Sequence, residues 1–109
     1  MNPTTLNVVQ GDSLYNLSFT LQNNAGVAIN LTGATLVIKV QKQEATAVKF
    51  TGTMNIDTAA SGICHYVVQA TDFDADGQYY AEIVITFGSG EVLTFPNILI
   101  IASPKLPIL

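Results

Sequence analysis

Apolar and polar residues alternate along much of this chain, in short runs separated by turn-forming residues. Between residues 14 and 21 every second residue is large and apolar, which gives an inward set of Tyr15, Leu17, Phe19 and Leu21. The same period of two follows Gly77, where the inward set is Tyr79, Ala81, Ile83 and Ile85. Such alternation is typical of strands with one buried and one exposed face. No helical period accompanies it, so the pattern predicts an all-β protein.

The turn residues divide the chain into a series of strands. The longer predicted strands cover residues 4–9, 14–21, 35–40, 63–68, 79–86 and 91–102. Two shorter strands, residues 48–51 and 54–57, flank Gly52, and residues 42–47 form an exposed loop or a crossing between sheets. Pro96 has no N–H for a ladder and therefore marks a bend or an edge in the last strand. Strands at this spacing predict a sandwich of about seven antiparallel strands.

The last long alternating run is preceded by an acidic turn that ends in Gly77-x-Tyr79-x-Ala81. This motif resembles the corner that opens strand F of immunoglobulin-like sandwiches, where a tyrosine ring packs inward and its hydroxyl bonds to upstream backbone. Ala81 stands where antibody domains carry the second cysteine of their disulfide. The resemblance implies one immunoglobulin-like sandwich over residues 1–109 without a disulfide, with residues 103–109 as an extended tail.

The acidic turn also matches the opening of a calcium loop. Asp72, Asp74 and Asp76 are carboxylates at alternate positions before Gly77, and such an arrangement can wrap one hard cation. The match fails further on, because the bidentate acid should occupy position 83 and Glu82 comes one residue early. We therefore expect the aspartates to cap a solvated turn and expect no metal or cofactor, with calcium as the alternative.

Charged residues are scarce in this chain, at 11% against about 25% in ordinary soluble domains, while 49% of the residues are hydrophobic. A small domain has much surface per unit volume, so this shortage indicates a surface that other subunits cover. We expect a homo-oligomer. Four lysines, no arginine and a net charge of -4 disfavour nucleic acid as a partner. The sequence shows neither a secretory signal nor an apolar run long enough for a membrane span, so no membrane partner is expected.

The residues for catalysis are few. Cys64 and His65 are neighbours in a predicted strand, so their side chains point to opposite faces and do not form a nucleophile and base pair. We interpret Cys64 as a core residue and His65 as an exposed strand residue. Because no phosphate loop, nucleophile elbow or metal-spaced histidine pair occurs, we expect a protein that is not an enzyme.

Two sets of apolar residues are predicted to contact partners. Leu106, Ile108 and Leu109 follow Pro104 and belong to no strand, so this tail either folds back over the open end of the sandwich or docks on a neighbour. The outward apolar positions of the predicted strands form the second set, which consists of Val37, Val84 and Leu93.

Six sequence elements together resemble the N-terminal immunoglobulin-like domain of phage baseplate upper proteins. They are, in order, Gly11-Asp12 before LYNLSFTLQ, Asn30-Leu-Thr-Gly-Ala-Thr35 before LVIKV, Gly62-x-Cys64-x-Tyr66-x-Val68, the acidic turn, Gly77-x-Tyr79-x-Ala81-Glu82, and Thr94-Phe95-Pro96-Asn97. The resemblance covers nearly the whole chain. It implies a structural protein of a tailed-phage virion, made in the host cytoplasm, that holds other virion proteins in place.

Two alternatives stay open. Baseplate members of that family usually continue into a coiled or fibrous region that carries receptor-binding proteins, and this sequence stops at Leu109. A decoration or cement protein of the capsid or neck is therefore the first alternative to a baseplate or tail component. A glycan-binding adhesion module is the second, with the outward Tyr80 as its aromatic platform.

Overall fold

The alternating pattern folds into eight strands in a computed structural model that describes residues 4–104. A single turn of 3₁₀ helix, Ala59–Ser61, interrupts them. The strands are β1 Thr4–Val9, β2 Asn16–Thr20, β3 Thr35–Lys42, β4 Phe50–Thr53, β5 Asn55–Thr58, β6 Ile63–Val67, β7 Gly77–Thr86 and β8 Val92–Ser103. The larger sheet has the order β1-β8-β7-β3-β4, and the smaller one has the order β2-β6-β5. The prediction of a mostly β protein is confirmed, with eight strands in place of about seven.

The two sheets enclose one hydrophobic core. Tyr79, Ala81, Ile83 and Ile85 of β7 are buried, as are Leu17 and Phe19 of β2, in one cluster that joins both sheets. Phe50 of β4 stacks on Tyr66 of β6, with ring centroids 5.8 Å apart. Each fully buried aliphatic side chain contributes roughly 1.5–3 kcal/mol to folding, so the alternating residues are sufficient to drive the two sheets together.

One strand pairing differs from the expected antiparallel arrangement. β1 runs parallel to β8, with Thr4 opposite Ile98 and Val8 opposite Ala102. Alternation decides which face of a strand is buried but leaves its direction open, and Leu6 and Val8 face the core in this pairing. The prediction that all strands are antiparallel is therefore wrong for β1.

The chain changes sheets between β4 and β5 through one residue. Met54 separates the two strands and is buried, and its N–H donates to the carbonyl of Leu36 at 2.9 Å. Gly52, predicted as the break between two strands, instead lies within β4 opposite Ile38. A Cβ at this position would lie 2.2 Å from the Tyr66 ring. The glycine therefore permits a close approach of backbone to aromatic ring, which is one meaning of glycine inside a strand.

A β-bulge divides β8. The register with β7 shifts between Ala81 and Ile83, where Pro96 and Asn97 stand opposite the single residue Glu82. Asn97 has a φ of 65°, in the left-handed region. An extra residue moves every following side chain to the other face, so β8 keeps its inward residues on the core only because the alternation restarts at Ile98.

Candidate functional site

The acidic turn, residues 72–77, is organised by a buried carboxylate. Asp72 is only 6% exposed, and its Oδ2 accepts hydrogen bonds from the Tyr66 hydroxyl at 2.6 Å and from the Gln69 N–H at 2.8 Å. Burial, followed by the hydrogen bond to Asp72, raises the pKa of Tyr66. Asp72 thus closes the turn that follows β6 and ties it to the core.

The other two aspartates of the turn point elsewhere. Asp74 forms an ion pair with Lys49 at 3.2 Å, and Asp76 is exposed. Within residues 4–104 no group of three or more His, Cys, Asp or Glu side chains could hold a metal ion. The structure therefore does not bring together the three carboxylates of the calcium hypothesis, because Asp72 turns inward to the Tyr66 hydroxyl.

The turn leads into a buried tyrosine at the start of β7. Tyr79 is fully buried, and its hydroxyl donates to the carbonyl of Ala75 at 2.6 Å. Its ring meets Phe73 edge to face, with centroids 5.1 Å apart. Gly77, two residues before Tyr79, supplies a φ of 127°. Burial raises the pKa of the Tyr79 hydroxyl, which keeps it protonated as a donor to the upstream backbone.

Cys64 and His65 lie on opposite faces of the smaller sheet. Cys64 is fully buried, and its Sγ contacts the carbonyl of Phe19 at 3.9 Å. Burial raises the pKa of the thiol to about 11, so that the reactive thiolate is scarce at neutral pH. His65 faces outward, as predicted, but it is less exposed than expected because Asp57 holds its Nδ1 at 2.8 Å.

The neighbours of His65 include a serine and a carboxylate, a combination that sequence spacing did not reveal. Ser18 of β2 is the register partner of His65, and Asp57 lies on β5 at the other side of β6. The second ring nitrogen, Nε2, lies 3.5 Å from Nδ2 of Asn55, which is also on β5. Both imidazole nitrogens therefore contact side chains of β5, Asp57 and Asn55, whereas Ser18 lies on β2 at the other side of β6.

The side of the larger sheet that points away from the core carries several apolar residues on its central strands. Val37 of β3 lies opposite Val84 of β7, and Tyr80 of β7 lies opposite Leu99 of β8. We call these residues, together with Ile101, the apolar outer face. Four of the five are half-buried and Tyr80 is 50% exposed. Lys39 and Glu82, which are cross-strand partners on β3 and β7, lie between the Val37–Val84 pair and the Tyr80–Leu99 pair.

An open cleft of about 420 Å³ lies on this side of the sheet, at the β-bulge of β8. We call it the bulge cleft. Its walls include Tyr80, Pro96 and Asn97, and Val48 from the loop before β4 closes one side. Val48 is 49% exposed, and the lysine and glutamate of the apolar outer face both reach the rim. The cleft therefore offers apolar walls with balanced charge.

The predicted contact residues have different fates. Val37 and Val84 point outward and adjoin each other. Leu93 points inward instead, because it lies opposite the buried Ile85 and packs against the core. A regular alternation counted back from Ile98 would place Leu93 on the outward face, because it does not include the bulge. Leu106, Ile108 and Leu109 lie outside the described residues. Sequence reasoning missed Leu99 and Ile101, whose neighbours on the sheet become visible only with the strand order.

The fold and these sites define a two-sheet, all-β domain without a disulfide, with one sheet face that is apolar on its outside. The chain belongs to the family described as the BppU N-terminal domain, whose model matches residues 2–106. This is the N-terminal domain of baseplate upper proteins, as the sequence resemblance indicated. A search of curated proteins finds none that matches the chain. The family implies a phage baseplate-associated structural protein and a virion component. In the part of the chain that is described, no helix has the length and apolarity to cross a bilayer.

Proposed function

We propose that this protein is a non-catalytic subunit of the phage baseplate or tail that holds other virion proteins in a symmetric assembly containing several copies of itself. The apolar outer face is the observation that carries the proposal. It places Val37 beside Val84, and Leu99 beside the half-exposed ring of Tyr80, on one solvent-facing side of a sheet, with the Lys39–Glu82 pair between these two apolar pairs. Apolar side chains concentrated on one solvent-facing side of a sheet, among polar and charged residues, are typical of interaction sites in proteins.

The physical gain from covering this face is substantial. Removing apolar surface from water contributes about 25 cal/mol per Å², and a standard interface buries roughly 800 Å² on each partner. Charged side chains oppose such burial unless they are paired. Lys39 and Glu82 are direct cross-strand neighbours, so each has a counter-charge available when a partner excludes water. The face is therefore suited to a protein partner rather than to a polyanion.

The fold of this subunit is, in this proposal, an immunoglobulin-like sandwich. The inward ring of Tyr79 and its hydrogen bond to Ala75 support it, since these are the contacts that define a tyrosine corner. The charge balance of the chain supports a function without nucleic acid or membrane partners.

The tail contributes a second contact in this proposal. Leu106, Ile108 and Leu109 are three large apolar residues among two prolines, and prolines keep a segment extended at low entropic cost. We expect deletion of residues 105–109 to leave the fold intact and to impair assembly. Circular dichroism and light scattering of the deleted chain measure these two outcomes separately, and normal assembly would reject the role of the tail.

Imaging of the particle tests the proposed position. Cryo-electron microscopy of the phage that encodes this chain should show the domain in a ring at the baseplate or tail. Density on the capsid or at the neck would instead support a decoration protein. Binding of the isolated domain to a glycan array, lost in Tyr80→Ala, would support the adhesion alternative, because Tyr80 is the half-exposed aromatic residue beside the bulge cleft.

A further inference from the structure

The bulge cleft is a local interruption of an otherwise regular sheet. Pro96 cannot donate a backbone hydrogen bond, and Asn97 takes a left-handed conformation next to it. The ladder between β7 and β8 therefore skips from Ala81 to Ile83. The interruption leaves a depression between Tyr80 and Pro96, which Val48 borders from the loop before β4. A sheet face with a built depression can accept side chains that a flat face cannot.

The chemistry of the cleft selects an apolar ligand with little net charge. Tyr80 and Val48 expose about half of their surface, at 50% and 49%, and Pro96 adds a rigid apolar wall. Lys39 and Glu82 are the two charged residues of the lining and have opposite signs. An extended segment with aliphatic side chains and a single charge fits this description.

The sequence contains such a segment outside the described residues. Residues 105–109 read Lys-Leu-Pro-Ile-Leu, with one charge and three aliphatic side chains. We propose that the bulge cleft of one copy binds residues 105–109 of an adjacent copy, so that copies of this chain associate head to tail. The proposal rests on the symmetric assembly proposed above and assigns its contact. Lys105 brings a positive charge to a lining in which Glu82 is a counter-charge and Lys39 a like charge.

The number of residues after β8 indicates that the segment binds the cleft of an adjacent copy and not the cleft of its own chain. Ser103 lies five positions beyond Ile98 in β8, and Ile98 lines the cleft, so the end of β8 lies roughly 17 Å from the cleft. Leu106 is three residues after Ser103 and can return at most about 10 Å. Ile108 could span the distance only if no residue were spent on reversing direction. The segment as a whole therefore cannot occupy the cleft of its own sheet.

Association of this kind is heterologous, because two different surfaces of the subunit meet. Such contacts close into rings when the rotation between subunits permits it and otherwise extend into filaments. Head-to-tail binding thus accounts for a symmetric ring by one contact, with the apolar outer face left to contact further proteins.

A mixing experiment with full-length chains tests the proposal. Tyr80→Lys blocks the cleft, and the double variant Leu106→Asp/Ile108→Asp disables the segment. Each variant alone should be monomeric by sedimentation velocity, while an equimolar mixture should form a dimer and nothing larger, because one intact cleft meets one intact segment. Thr86→Lys places the same charge on the same strand and should oligomerise like the wild type. A mixture that stays monomeric while the wild type oligomerises overturns the proposal.

A second measurement covers the case in which the wild type is monomeric at every accessible concentration. A synthetic peptide of residues 103–109 is titrated into the ¹⁵N-labelled double variant. Saturable shifts confined to β7 and β8 around Tyr80 and Asn97 support the proposal, and their absence overturns it. The same peptide with both aspartate substitutions is the control. The presence of the chain in purified virions is measured separately. The proposed function can therefore hold when head-to-tail binding fails, and head-to-tail binding can hold when the chain is absent from virions.

Discussion

The two sheets present different surfaces to solvent, although the same alternation builds both. On the smaller sheet most outward residues are polar, and His65 is bonded to Asp57, with Ile63 and Val67 as apolar exceptions. On the larger sheet aliphatic and aromatic residues such as Val84 and Leu99 are more frequent and flank the charged pair of Lys39 and Glu82. Antiparallel sheets commonly have one solvated face, and the smaller sheet follows that rule. The larger sheet has more apolar residues on its outer side, which supports the proposal that a partner covers it.

The largest expected effect comes from placing a carboxylate on each outer face in turn. Val84→Asp puts an unpaired charge into the apolar outer face. Burying such a charge costs about 3 kcal/mol or more, which lowers the affinity of this face for a partner protein roughly 100-fold. Thr20→Asp places the same group at an exposed position of the smaller sheet and should change affinity little. Competition of each variant with the wild-type chain for incorporation into virions measures both changes in affinity for the neighbouring proteins. Equal effects of the two substitutions would show that the two faces do not differ in function.

The sequence predicts the contrast between buried and exposed residues within a strand better than the contrast between the two sheets. The inward set of β7 follows from local alternation and is confirmed, since Tyr79 and Ile83 are fully buried. The parallel pairing of β1 with β8 joins opposite ends of the chain, and no local period encodes such a pairing. The apolar outer face depends in the same way on the order β8-β7-β3, because this order determines which outward residues become neighbours.

Two local features also escaped prediction for physical reasons. The bulge at Pro96 and Asn97 inserts one residue and reverses the face of Leu93, although the proline did indicate an irregular strand. Asp72 was expected in a solvated turn, yet it is buried because the Tyr66 hydroxyl and the Gln69 N–H satisfy its carboxylate. A buried carboxylate is stable when hydrogen-bond donors satisfy it. One donor here is the hydroxyl of Tyr66, six residues away in sequence, and the alternating pattern gives no indication of that contact.

Two substitutions in the acidic turn compare its buried end with its exposed end, and the expected effect on stability is intermediate in size. Asp72→Ala should lower the free energy of unfolding by about 2 kcal/mol, because the buried Tyr66 hydroxyl loses its acceptor. Asp76→Ala, at the exposed end of the turn, should change it by less than about 0.5 kcal/mol. Urea titration followed by tyrosine fluorescence gives both values. Millimolar calcium should leave both midpoints unchanged, and a calcium-dependent rise lost in Asp76→Ala would reinstate a metal role for the turn.

The smallest expected effect is a dependence of stability on pH that arises from the buried face of β6 and not from its outward face. Burial raises the pKa of Cys64 from 9.0 to about 11, so the folded state holds the thiol proton to a higher pH than the unfolded state does. The resulting stability is fully present below pH 9 and is lost as the pH rises through 11, with about 1 kcal/mol already gone at pH 10. Burial also raises the pKa values of Tyr66 and Tyr79. The loss of stability due to the thiol is therefore the difference in unfolding free energy between the wild type and Cys64→Val at each pH. His65→Gln, on the outward face of β6, should leave this alkaline difference nearly unchanged, because the charge that adds to the effect of burial on the thiol pKa is that of Asp57. An alkaline limb that is identical in Cys64→Val would mean that the thiol is not the group that titrates.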